Sequence, residues 1–66
     1  MGDLPSAIAL LEANAKAYPR SGGAAFGLGR AYKSAGKLTQ AKKELERAVG
    51  LDPSSKRAQE ALQSLR

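Results

Sequence analysis

The 66-residue chain contains no cysteine, no histidine and no tryptophan. Without cysteine there is no disulfide and no thiolate metal site. Without histidine the commonest general base, the commonest metal ligand and the usual pH switch are lost together. Six carboxylates are scattered along the chain, with no acid–base pair and no nucleophile beside a base. The expectation is therefore no enzyme, no cofactor and no metal. No apolar run approaches the ~20 residues that a bilayer-spanning helix needs. The opening "MGDLPSAI" lacks the basic start of a signal peptide. Missing cysteine fits a reducing compartment, so a cytoplasmic location is expected. A chain this short forms one small domain and buries only about 60% of its unfolded surface.

Charge of one sign is also in short supply. The formal net charge is +5, unevenly placed. Residues 1–19 hold Asp3, Glu12 and Lys16, a net of −1, whereas residues 20–66 hold ten basic and four acidic groups, a net of +6. Such a surface attracts acidic peptides, and a small basic nucleic-acid-binding domain is the alternative function to consider. Against that alternative, Glu44, Glu46 and Glu60 interrupt the basic groups. The single phenylalanine also offers little stacking surface for bases.

Two short stretches imitate nucleotide-binding motifs. "AYKSAGKL" at 31–38 approximates a phosphate-binding loop, but Ala31 replaces the first glycine and Leu38 the metal-binding hydroxyl. "GLG" at 27–29 begins a dinucleotide fingerprint that fails at Tyr32. Both motifs need a preceding strand, and the sequence shows no strand pattern.

What is present is a repeat. Residues 2–21, "GDLPSAIALLEANAKAYPRS", overlay residues 36–55, "GKLTQAKKELERAVGLDPSS", at an offset of 34. Gly2, Leu4, Ala7, Leu11, Glu12, Pro19 and Ser21 recur as Gly36, Leu38, Ala41, Leu45, Glu46, Pro53 and Ser55. Four helices follow from the apolar spacing. The first covers 4–17, with Leu4, Ala7, Ile8, Leu11 and Ala15 on one stripe, Pro5 in its first turn and Pro19 beyond its end. The second covers 22–34, with Ala25, Leu28, Gly29 and Tyr32, and stops at a left-handed Gly36. The third covers 38–50, with Leu38, Ala41, Leu45, Ala48 and Val49. The last is capped by Ser54 or Ser55 and runs to about Leu65, with Ala58, Ala61, Leu62 and Leu65 inward. Short turns make neighbours antiparallel, so the fold class is all-α, a pair of nested helix hairpins. Gly29 is expected to let the third helix approach near Ala41. Tyr32 is expected to bury its ring and leave its hydroxyl in water.

This pattern resembles the tetratricopeptide repeat, a 34-residue helix–turn–helix unit. Leu28, Gly29 and Tyr32 match its L-G-x-x-Y, and Gly36 its turn glycine. Ala41, Leu45 and Ala48 match its small–large–small second helix, and Pro53 its terminal proline. The resemblance implies a full repeat at 22–55, the second half of a preceding repeat at 2–21 and a terminal or capping helix at 56–66. It also implies that the chain belongs to a larger array. There are departures: Ala25 stands where the family has tryptophan, Leu45 where it has an aromatic, and Asn14 occupies the place that Ala48 fills in the other copy.

The function the resemblance implies is protein–protein interaction. In such stacks the first helix of each repeat lines a peptide-binding groove. The candidates on that side are Phe26, Arg30 and Lys33 from 22–34, joined by Arg57 from the last helix. Phe26 would anchor an apolar side chain and Arg30 would fork onto a carboxylate of an acidic partner. The Lys–Asn clamp of chaperone-binding members is not matched, since Phe26 and Arg30 occupy those places. The first helix is apolar nearly all round, where its 34-residue equivalent is charged outside. That points to a docking or homodimer surface at Ile8, Leu10 and Leu11. Membrane binding is not expected, because the apolar face of 37–47 is committed to the core.

Overall fold

The computed structural model describes residues 4–65, with side chains from Ala7 onward. It contains α1 (Leu4–Ala17), α2 (Gly22–Ser34), α3 (Leu38–Leu51) and α4 (Lys56–Gln63). Among the described residues there is no strand, so the fold is all-α. The expected positions of the Leu4 and Pro5 side chains, and of Gly2 and Arg66, lie outside the described residues.

Each helix packs on the next, with α2 against α3 the most extensive interface. The punctuation at each end explains the boundaries. After α1, Pro19 blocks continuation and the Ser21 amide donates to the Tyr18 carbonyl at 3.0 Å. Ser21 then caps α2, its hydroxyl accepting from the Ala24 amide at 3.1 Å. The same turn recurs 34 residues later. The Ser55 amide donates to Asp52 at 3.0 Å, and the Ser55 hydroxyl accepts from Ala58 at 3.3 Å. Between α2 and α3, Gly36 has φ +79°. Its amide donates to Lys33 at 3.1 Å and the Lys37 amide to Tyr32 at 2.8 Å. These two bonds close a left-handed helix terminus that strongly favours glycine.

The core is small. Ile8, Ala15, Ala24, Leu28, Tyr32 and Ala41 form one cluster, and Ala25, Ala48 and Ala58 another. Leu45 is fully buried, and among the described residues no polar or charged residue is. Gly29 creates the room. A methyl group added there would lie 2.7 Å from Leu45 Cγ and 3.4 Å from the Ala41 carbonyl oxygen. The glycine therefore admits Leu45 first and the Ala41 backbone second, where the sequence pointed only to Ala41.

Three expectations are corrected. Leu38 is 54% exposed. It opens α3 directly after the turn, beyond Tyr32, the last buried residue of α2. The helix α4 ends at Gln63, two residues before Leu65: the Ser64 amide still donates to Glu60 at 3.0 Å, and the Leu65 amide then tightens to Leu62 at 3.1 Å. The Tyr32 hydroxyl is not left to water: it donates to the Glu12 carboxylate and pins α2 to α1. A further strut joins α3 to the first turn, where the Arg47 guanidinium donates to the Pro19 carbonyl at 2.6 Å.

Candidate functional site

Residues on α2 divide into two stripes. Ala25, Leu28, Gly29 and Tyr32 face inward and are buried. Phe26, Arg30 and Lys33, offset by one position, flank the surface at i, i+4 and i+7 spacing. Phe26 is half-buried and packs on the Ala25–Ala48–Ala58 cluster. The Arg30 guanidinium stands over its ring, 5.7 Å from the centroid. That is a cation–π contact, worth about 0.5–1 kcal/mol at an exposed site. The Lys33 ammonium donates to the Ser64 hydroxyl at 2.7 Å, so α4 steadies the second cation.

Two shallow clefts flank this Phe26–Arg30 ridge. One, of about 320 Å³, is lined by Leu11, Phe26, Gly27, Arg30, Ala31 and Ser34. The other, of about 340 Å³, is lined by Phe26, Arg30, Lys33, Ser34 and Ala61. Three of the four groove candidates therefore come together. Arg57, exposed in the first turn of α4, lines neither cleft. Leu11, singled out as a docking residue, instead forms one wall of the first cleft. Ala31 and Ala61 were not anticipated. Ala61 had a signal, since the 34-residue offset pairs it with Gly27, another small residue.

Chemically the lining offers two cations, an aromatic ring, a hydroxyl and small apolar surfaces, with no carboxylate among the described residues that line either cleft. This suits an anionic, partly apolar ligand. A strongly shifted group lies elsewhere. The Tyr32 phenol is pushed up to about 12, first by its hydrogen bond to Glu12, then by burial, then by the negative charges of Glu12 and Glu44. It is a structural pin and lines neither cleft. Among the described residues no group of three or more potential metal ligands assembles. No helix there is long and apolar enough to cross a membrane.

The docking trio on α1 separates in space. Ile8 is buried against α2, as the helical spacing from Ala15 requires. Leu11 is half-buried. Leu10 alone is a large apolar surface residue, 73% exposed.

Comparison with known proteins gives one family. No curated protein and no solved structure matches the chain. A family model described as tetratricopeptide repeat matches residues 1–65. The punctuated 34-residue turns, the Gly29–Leu45 nesting and this match lead to one conclusion: the chain belongs to the tetratricopeptide repeat family, whose members generally mediate protein–protein interaction.

Proposed function

We propose that the α2 surface binds a short acidic segment of a partner protein, with 22–55 as the complete repeat and 2–21 and 56–66 as its flanks. One observation carries this reading. Arg30, over the Phe26 ring, and Lys33, bonded to Ser64, line one cleft together, with no carboxylate among the described residues that line it. A carboxylate of the ligand would bridge Arg30 and Lys33 in the Ala61 cleft. A neighbouring apolar side chain would rest on Leu11 and Ala31 in the other. Tetratricopeptide repeats typically act as non-enzymatic scaffolds, which agrees with a site that holds rather than transforms.

The surface is small. Specific interfaces bury about 800 Å² per partner, and one helix face supplies only part of that. Dissociation constants on the order of 10⁻⁴ M are expected.

The test is fluorescence anisotropy with labelled peptides that pair acidic and aliphatic residues, against versions with every Asp and Glu amidated. Acidic peptides should bind, amidated ones should not, and Arg30→Glu should abolish binding. Equal affinity for both peptide sets, or an Arg30→Glu variant that binds as well as wild type, sinks the proposal. Tighter binding to single-stranded or duplex nucleic acid that survives 200 mM salt would favour the alternative instead. This groove reading leaves the outer face of α1 available for a separate contact.

A further inference from the structure

The cleft between α2 and α4 holds more positive charge than one carboxylate can match. Arg30 and Lys33 both line it, with Phe26, Ser34 and Ala61. Both cations are exposed and three residues apart, so they are neighbours on successive turns of α2. Among the described residues the ion pair within 4.0 Å joins Arg47 to Glu44, both on α3, and involves neither of these cations. Lys33 lies in the last turn of α2 and offsets the negative end of the helix dipole.

The donors can be counted. The Arg30 guanidinium carries five N–H groups in a planar fork. The Lys33 ammonium has three, of which one goes to the Ser64 hydroxyl. The Ser64 hydroxyl in turn donates to the Ala61 carbonyl at 2.7 Å. Ser64 thus holds Lys33 at the rim without adding negative charge. The Ser34 hydroxyl, also in the lining, is a further donor.

A carboxylate brings one charge and two oxygens, and the Arg30 fork alone can satisfy both. Lys33 is then left with little to bind. A phosphomonoester brings about −1.5 to −2 charges at pH 7 and three acceptor oxygens. Two of those oxygens suit the fork, the third suits Lys33 and Ser34, and the charge equals that of the two cations. A phosphodiester of nucleic acid carries a single charge and lacks the third free oxygen, so it fits less well.

We propose that, within the groove proposed above and resting on it, this cleft takes a phosphorylated serine or threonine of the partner segment. Phosphorylation of the partner then governs binding, while the aliphatic neighbour still rests on Leu11 and Ala31.

The test is anisotropy at about 150 mM salt with three labelled peptides that differ at one central position: phosphoserine, glutamate or serine. At pH 7.5 the phosphoserine peptide should bind roughly ten-fold more tightly than the glutamate peptide. Lys33→Gln should bring that ratio close to one with unchanged helical circular dichroism. Arg57→Gln, which removes an equal charge from an exposed residue lining neither cleft, should leave the ratio intact. The second phosphate ionisation lies near pH 6, and the chain has no histidine, the side chain whose charge ordinarily changes in that range. Lowering the pH to about 5 should therefore weaken the phosphoserine peptide several-fold and the glutamate peptide by less than about two-fold. Equal affinity for the phosphoserine and glutamate peptides overturns this inference and leaves the acidic-segment reading standing. Failure of all three peptides to bind overturns both. A preference that survives Lys33→Gln, or tighter binding to an oligonucleotide or to vesicles bearing phosphomonoester headgroups, overturns the inference as well.

Discussion

Replacing Gly29 by alanine sets two effects of opposite sign against each other. Gly29 lies inside α2 in ordinary helical conformation, so the added methyl group meets no backbone penalty and gains about 1 kcal/mol of helix propensity. The methyl carbon would stand 2.7 Å from Leu45 Cγ and 2.8 Å from its Cδ2. Ordinary carbon contacts are about 3.5–4.0 Å, so Leu45 must retreat by roughly 0.8 Å or more. Leu45 has no exposed surface, and it moves only by displacing its own neighbours. Overpacking of this kind costs about 1–3 kcal/mol. The repulsion outweighs the propensity, leaving a net loss near 1 kcal/mol, or about 4–8 °C in Tm for a domain of this size. Gly50→Ala is the control. It is helical, exposed and has nothing within 4 Å of the new carbon, so only the favourable propensity effect remains and Tm should rise by a few degrees. Thermal melts followed by circular dichroism decide the matter. If Gly29→Ala raises Tm in step with Gly50→Ala, the α2–α3 nesting described above is wrong. In a Leu45→Ala background held folded by an osmolyte, Gly29→Ala should turn neutral or stabilising.

Tyr32→Phe should cost about 1 kcal/mol at neutral pH, the net worth of the lost bond to Glu12. The folded phenol titrates near 12 against an ordinary value of 10. Its contribution is therefore complete below pH 10 and lost as pH rises through about 12. The gap in urea midpoint between wild type and Tyr32→Phe should narrow over that window, and a constant gap would contradict the assignment. Gly36→Ala should destabilise by about 1–2 kcal/mol through its positive φ alone, because nothing crowds the site. Gly36→Asn should cost less, and equal urea midpoints for the two variants would refute the left-handed terminus. Ser21→Ala and Ser55→Ala should each lose about 1 kcal/mol by uncapping α2 and α4, measured as equilibrium unfolding free energies.

Much of this fold was legible in the sequence because its helix boundaries are written in local chemistry. Pro19 and Pro53, Ser21 and Ser55, and Gly36 act on the residues beside them, so α1 and α2 begin and end where the pattern places them and α3 gains only Leu51. The Phe26–Arg30 pairing was legible for the same reason, since i and i+4 neighbours meet on any helix. Leu38 misled because helical spacing identifies a face but not how far the neighbouring helix extends along it. Tyr32–Glu12, Lys33–Ser64 and Arg47–Pro19 were not legible. Each joins residues at least 20 apart in sequence and depends on how the helices cross. The α1 trio was legible in part: helical spacing put Ile8 on one stripe with Ala15 and left Leu10 off it, whereas the place of Leu11 in a cleft wall depends on where α2 lies.

The interior is built largely from methyl groups, since Ala15, Ala24, Ala25, Ala41, Ala48 and Ala58 are all buried. An alanine scan is therefore blind at these six positions, the very places where the helices touch most closely. The informative survey is one of enlargement. Valine or leucine at these sites would wedge the hairpins apart, so mutational drift in this protein should be asymmetric, tolerating little growth inside while leaving the exterior comparatively free to vary.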